Sequence, residues 1–512
     1  MKKLLLSAIF MAFAVCMMAQ SVVLTEPFSN TWMRRLMTYG TPVGQDAENL
    51  YFFLNPRTND SFKPKTWTDH VFIIDKNSMQ RTDIPITVEA KYSFMGGVTS
   101  DDNVIGLYNS LNSKGDKVIF TIANVDKSSK GMTLNDNNSV STTANPKFWP
   151  SYKTATSPNG KLLAALVMVT GKDYQLENLF AIVVNNEGEF VWSSQIAPEF
   201  GGKTFSLGNM VVDNDGNIYL PAYTCLMSGK NISDVKFMMI RANSDGTSSF
   251  TEGVNFGTPQ NFTGKILSDG NVAVAGYYTD SKTNTATQSS GYFFYKFDTK
   301  SENITDLRSF KFDNGYVEKE VWTRFATELG NQQYSISADN IFELADGSIV
   351  LCGEHRFVKE TYNYQMNSTT YQLLTKNVLV STLLPDGTSR FTMIEKQQSF
   401  ASYMPTPEDW KPTSISYSAF AQGNDMYFLF NDDPKNIPYP GKSVVYCPSG
   451  MSFKKKWESV LMKLTPDQKL TQRVLLDPKQ LLRGVEFTDG ESFYASGVGK
   501  SEFFMTKYAI EE

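Results

Sequence analysis

Histidine is nearly absent. His70 and His355 are the only two in a chain of 512 residues, which leaves little room for His-based acid–base catalysis or a His-rich metal centre. Cysteine is scarce too. There are four and no CxxC pair, so neither a disulfide framework nor a zinc ribbon is signalled. Basic excess is missing: 48 Lys+Arg stand against 53 Asp+Glu, a net −5, which argues against a nucleic-acid binder. After the first segment no stretch reaches 18 uncharged apolar residues, so no transmembrane helix is expected in the mature chain. No HExxH, GxSxG, P-loop or dinucleotide fingerprint occurs, and neither cofactor nor metal is expected. What is present is globular: 41% hydrophobic and 20% charged residues, with 36 Phe, 24 Tyr and 34 Gly leaning toward strands and turns.

Residues 1–19, MKKLLLSAIFMAFAVCMMA, open with Lys2 and Lys3, continue apolar from Leu4 to Met18 and end on the small Ala19. This is the layout of a secretory signal peptide, and residues 20–512 are then the exported domain. A lipoprotein leader acylated at Cys16 is the rival reading, disfavoured by the bulk of Val15 before it. Cleavage leaves 46 basic against 53 acidic residues, a net −7, and three cysteines, Cys225, Cys352 and Cys447. An odd number reads as small buried side chains, with one bridge and one free thiol as the alternative.

A turn followed by a short apolar strand recurs along the chain. Its copies are AENLYFFL (47–54), SDDNVIGLY (100–108), SPNGKLLAALV (157–167), DNDGNIYL (213–220), LSDGNVAVAGYY (267–278), LADGSIVLCGE (344–354), QGNDMYFLF (422–430) and TDGESFYASGVG (488–499). Each is followed by strand, polar turn and strand, as in KVIFTIANVDKSS (117–129), LFAIVVNNEGEFVW (179–192) and VLVSTLLPDGTSRF (378–391). Asp-Gly and Asn-Gly suit the tight turns. The eighth copy, FFMTKYAI (503–510), stops at its first strand. Two hairpins per unit, repeated eight times, make an all-β chain: a single β-propeller of four-stranded antiparallel blades. Eight blades are expected, with seven as the alternative because the first unit is irregular. The run SVVLTEPF (21–28) has no partner in its own unit and is expected to supply the missing outer strand of the last blade.

On these repeats the chain resembles secreted β-propeller proteins of the type common in Bacteroidota, over nearly all of residues 21–510. The resemblance implies a fold and not an activity. The WD dipeptide, the sialidase Asp-box and the tryptophan-docking repeats are all missing.

Blade geometry narrows the candidate site. Loops joining strands 1–2 and 3–4 emerge on one face and hold the short turns; the 2–3 and 4–1 loops emerge on the other and hold nearly every long insertion. The expected 2–3 loops of the sixth and seventh units span 353–376 and 431–459, and SFASYMPTPEDWKPTS (399–414) lies between them. Together they gather Tyr362, Tyr364, Tyr371, Tyr403, Trp410, Tyr439, Tyr446 and Trp457, with Glu354, His355, Arg356, Asp432, Asp433 and Lys442 nearby. Aromatic faces beside polar groups suit sugars or extended peptides, although loops capping the channel would look the same. His355 between Glu354 and Arg356 offers either acid–base chemistry or an ordinary salt-bridged surface histidine. DNDGN (213–217) reads as a plain turn rather than a calcium loop, and Lys454 to Lys456 as a solvated run. An amphipathic helix is expected over 314–330, with Val317, Val321, Phe325 and Leu329 on one stripe.

Two functional expectations result. The first is an exported, non-catalytic propeller, periplasmic, surface-held or extracellular, that recognises a glycan, peptide or partner protein through the long-loop face. The second is a polysaccharide-active hydrolase or lyase with carboxylates and tyrosines at the channel mouth.

Overall fold

The computed structural model describes residues 20–23, 41–54, 65–143, 151–170, 176–196, 204–229, 231–282, 289–312, 333–363, 368–396, 398–402, 416–436, 445–447, 458–475, 481–498 and 503–510. The leader expected over 1–19 and the helix expected over 314–330 lie outside these residues. The described strands form eight separate sheets in chain order, each built on four antiparallel strands, a β-propeller of eight blades. The first unit, irregular as a sequence, is a complete blade of Thr41–Gln45, Asn49–Leu54, Thr66–Asp75 and Arg81–Glu89. Blades 2 to 5 follow over 93–143, 151–196, 204–253 and 258–311. The first strands of neighbouring blades approach one another around the axis, which makes them the inner strands.

The two middle strands of each blade have both faces buried, and this explains their unbroken apolar runs. In blade 3, Leu163, Ala165 and Val167 pack against Ile105, Leu107 and Phe120 of blade 2. The residues between them, Ala164 and Leu166, pack against Ile218, Leu220 and Met238 of blade 4. The period-two alternation of a strand therefore feeds two seams at once. Outer strands need only one apolar face, so Arg81–Glu89 alternates buried Ile84, Ile86 and Val88 with exposed positions.

Turns on the short-loop face follow the expected chemistry. Gly160, Gly188, Gly216, Gly270, Gly347 and Gly387 have φ between +70° and +85°, a region open to glycine at no steric cost. At Gly270 the turn closes with Gly270 N–H donating to Leu267 O at 3.0 Å and Leu267 N–H to Asn271 O at 2.8 Å. Neighbouring turns are stitched together: Asp346 N–H donates to Asn424 Oδ1 at 2.8 Å between blades 6 and 7, and Gln422 Nε2 to Gly490 O at 2.7 Å between blades 7 and 8. Within blade 2 Lys127 Nζ donates to Ser100 O at 2.6 Å, and it stands 3.9 Å above the Tyr51 ring of blade 1.

Blade 8 supplies Leu481–Thr488, Ser492–Val498 and Phe503–Ala509 from the end of the chain, and its outer strand is Gln20–Val23. The register runs antiparallel from Gln20↔Lys507 to Val23↔Phe504, as expected from the unpartnered run at 21–28; residues 24–28 lie outside the described set. At the same closure Phe52 of blade 1 meets Phe487 of blade 8 edge to face, with centroids 5.3 Å apart, and Gln45 Nε2 donates to Thr488 O at 2.9 Å. A chain beginning at residue 24 loses the closing strand. At about 0.5–1.5 kcal/mol per backbone hydrogen bond, it is expected to be roughly 2–4 kcal/mol less stable in urea unfolding than one beginning at residue 20; equal midpoints would show that the strand does not fasten the ring.

Candidate functional site

Blade 6 departs from the plan of its neighbours. The middle strands of blade 5, Val272–Thr279 and Gly291–Asp298, have eight residues each. Those of blade 6, Ile349–Asn363 and Ser368–Leu383, have 15 and 16. The expected loop over 353–376 is thus a β-hairpin, its ladder unbroken out to Asn363↔Ser368 apart from one register shift. Its sequence favours this, since Phe357, Val358, Thr361, Tyr362, Thr369, Thr370 and Tyr371 are β-branched or aromatic. Seven extra residues at about 3.3 Å each lift the arm roughly 20 Å on the long-loop side. Two further strands widen it. Gln398–Ser402 pairs antiparallel with Tyr371–Thr375, and Val445–Cys447 pairs parallel with Gln398–Ser402.

At the foot of the arm the backbone is irregular twice. The inner strand Gln333–Glu343 carries Asp339 as an extra residue between the pairs Ala338↔Gly353 and Asn340↔Cys352. On the next ladder His355 faces both Lys376 and Asn377, between Glu354↔Val378 and Arg356↔Thr375. Such bulges re-aim side chains. Gly353 is needed here because a Cβ would sit 2.2 Å from Ser337 O and 2.6 Å from the Tyr277 hydroxyl of blade 5.

These bends assemble a charged cluster at the inner end of the seam between blades 6 and 7. Arg356 Nε reaches Glu354 Oε2 at 3.0 Å, and its Nη2 reaches Asp339 Oδ1 at 3.0 Å. The buried Lys396 ammonium pairs with Glu354 Oε1. Ser416, at the entry to blade 7, donates its hydroxyl to Glu354 Oε2 at 2.7 Å and its N–H to Gln398 Oε1 at 2.6 Å. Gln398 Oε1 also accepts from Thr375 Oγ1 at 3.0 Å, while Gln398 Nε2 donates to Asn431 O at 2.7 Å, tying the arm to blade 7. Ser416 holds φ +77°, costly for a residue with a Cβ.

Burial pushes the Glu354 carboxyl up, but Lys396 and Arg356 outweigh it and hold it below the usual carboxylate range. Burial likewise raises Asp339, and there it wins over Arg356. Burial lowers the Lys396 ammonium against the pull of Glu354. Burial first, then Lys376 and Lys396, push His355 down to about 3, so it is neutral at pH 7. The surface histidine expected in a loop is therefore a fully buried strand residue, because the ladder extends past it.

The structure brings Glu354, His355 and Arg356 into one cluster. Tyr362 stands near the tip of the arm, 44% exposed. Tyr371 takes a strand position opposite Glu360 and Ser402, and Tyr446 one beside Ser399. Tyr364, Tyr403, Trp410 and Tyr439 lie outside the described residues, as do Lys442, Lys454 to Lys456 and Trp457. Asp432 is buried and accepts from Asn436 Nδ2 at 2.7 Å and Asp433 N–H at 2.8 Å. Sequence reasoning missed Asp339, Lys396, Gln398 and Ser416; only the polar SADN (337–340) inside an inner strand hinted at the first.

The DNDGN turn (213–217) is structural. The Asp213 carboxylate is used by its own turn, accepting from Asp215 N–H, Asn217 N–H, Asn217 Nδ2 and the Tyr219 hydroxyl. Among the described residues no group of three or more His, Cys, Asp or Glu is placed to hold a metal ion. Cys225 and Cys352 are buried free thiols.

No protein-family model and no curated protein matches the chain. Similar solved structures include the polysaccharide lyase Uly1, 12% identical over 81% of this chain and 89% of that one, with a TM-score of 0.35. The β-propeller domain of the Trilobed protease from Pyrococcus furiosus is 11% identical over 82% and 96%, at 0.34. The WD40 domain of SCAP from fission yeast is 9% identical over 96% and 98%, at 0.31. Likeness this distant carries no chemistry across.

The state of His355 has a measurable consequence. Unfolded, it takes up a proton near the ordinary value of 6.5; folded, only near 3. The unfolded chain binds more protons in between, so stability present above pH 6.5 is lost as the pH falls toward 3. About 2 kcal/mol is expected to go between pH 7 and 5 from this group. The His355→Leu variant, followed by urea unfolding over the same window, should lack that part of the slope; Asp339 and Asp432, whose carboxyls are raised by burial, act oppositely in both proteins. Parallel slopes would show that His355 is not held neutral.

Proposed function

We propose that the chain is an exported propeller that binds an extended ligand, a glycan or a peptide segment of a partner protein, on the long-loop face above blades 6 and 7. The observation that carries this reading is the raised arm: a hairpin continued far beyond the blade body, widened by strands from two other connections. A sheet that leaves the ring and presents Tyr362 to solvent offers apolar area at low entropic cost beside backbone and hydroxyl partners. The cluster at its foot supports binding over catalysis. Glu354 is clamped by two cations and His355 is neutral and enclosed, so both serve as a rigid footing and neither as a proton shuttle. In this reading residues 1–19 direct export, and residues 20–512 act in the periplasm, at the cell surface or in the medium. Among the described residues no helix is long and apolar enough to cross a membrane.

The test is a glycan and peptide array probed with residues 20–512, then with Tyr362, Tyr364 and Trp410 changed together to Ala. At least tenfold weaker binding by the triple variant is expected, and undiminished binding would exclude this surface. The second reading, a polysaccharide-active hydrolase or lyase, draws on Glu486 in the inner strand of blade 8. Burial holds its carboxyl above the usual range, and the Ser496 hydroxyl donates to it. If that reading is right, residues 20–512 cleave a polysaccharide and Glu486→Gln lowers the rate by 100-fold or more, measured as new reducing ends; a variant as active as the parent removes Glu486 from any such chemistry.

A further inference from the structure

We infer that the Arg356–Asp339 pair is a subsite for vicinal hydroxyls of a neutral sugar, set where the inner strands of blades 6 and 7 meet. The inference rests on the glycan form of the reading above and names the chemistry that the site would select.

Arg356 is the most exposed charged side chain of the cluster. Its side chain is 33% exposed, that of Asp339 17%, and those of Glu354 and Lys396 not at all. Nε and Nη2 of the guanidinium are engaged by Glu354, Asp339 and Ser416, whereas Nη1 has no protein partner among the described residues. Asp339 Oδ1 holds Arg356 and Oδ2 accepts from Ser337 Oγ at 3.0 Å. A carboxylate has about four lone-pair sites, so acceptor capacity remains. A guanidinium N–H beside a carboxylate oxygen matches two adjacent hydroxyls, one accepting and one donating. Ser337 and Ser416 add hydroxyls a few ångströms away.

Two backbone irregularities produce this juxtaposition. Asp339 is the extra residue of a bulge, and Ser416 holds a left-handed backbone. Both depart from the regular strand, and both side chains meet the same guanidinium. Charge then sets the ligand class. Arg356, Lys396 and Lys376 stand against Glu354, Asp339 and Asp432, three cations against three carboxylates. An anionic sugar would approach a guanidinium already flanked by carboxylates and gain little, while a neutral one needs only hydrogen bonds.

The experiment is calorimetric titration of residues 20–512 with neutral hexasaccharides of xylose, mannose and glucose, and with hexamers of galacturonic and mannuronic acid. Arg356→Lys keeps the positive charge and loses the fork; Asp339→Asn keeps the shape. A neutral hexasaccharide is expected to bind, with affinity reduced at least tenfold in each variant and unfolding midpoints within a few degrees of the parent. Uronic hexamers are expected to bind at least tenfold more weakly than the neutral one. If a variant unfolds, competition by the matching monosaccharide against its 2-deoxy and 3-deoxy forms, measured on the parent protein, reads the same contact; equal competition by all three refutes it. Tighter binding of uronic hexamers, variant affinities equal to the parent, or binding of peptides alone would overturn the inference while leaving an array-positive binding face in place. Silence of the whole array would instead bring down the wider reading.

Discussion

Every blade depends on burying both faces of its two middle strands. A lone four-stranded sheet with apolar residues on each side is insoluble on its own; a neighbour is needed on either hand. Leu163 and Ala164 are consecutive in sequence and belong to different seams. The ring is the arrangement that supplies two neighbours to all. Closure removes the last free face, and in blade 8 Gln20–Val23 pairs with Phe503–Ala509.

Register shifts recur in most blades, and one sector adds more to the four-strand plan than any other among the described residues. Blade 6 takes two extra strands, carries two bulges and adjoins a serine in a left-handed conformation. Irregular backbone survives only where the surroundings hold it, and here the holding groups are charged and buried. Removing one partner of such a cluster leaves an uncompensated charge and is typically worth about 3–5 kcal/mol. The seam of this sector therefore adds a polar cluster to the apolar packing of Val350, Val378, Phe428 and Met462.

The ring was legible because its signals are local and repeated. Turn glycines, period-two burial and the stranded FFMTKYAI each speak within a dozen residues. The cluster was half legible. Glu354, His355 and Arg356 are contiguous and draw attention together. Their partners Asp339, Lys396 and Ser416 are brought in by register and by the blade 6–7 seam, which no spacing rule reports. His355 was misplaced for a related reason. The polar GEHR run (353–356) reads as the start of a loop, yet β-branched and aromatic residues beyond it carry the ladder onward, and His355 is a buried strand residue.

The cross-blade strands have a mechanical side. Most neighbours in this ring touch through side chains and turn contacts, but blade 6 is knitted to the connections around blade 7 by main-chain ladders through Gln398–Ser402 and Val445–Cys447. Prising those two blades apart would mean tearing backbone pairing as well as unpacking a seam. The ring is thus a chain of unequal joints, stiffest between its sixth and seventh members, and breathing motions that admit solvent between blades will be displaced toward the others.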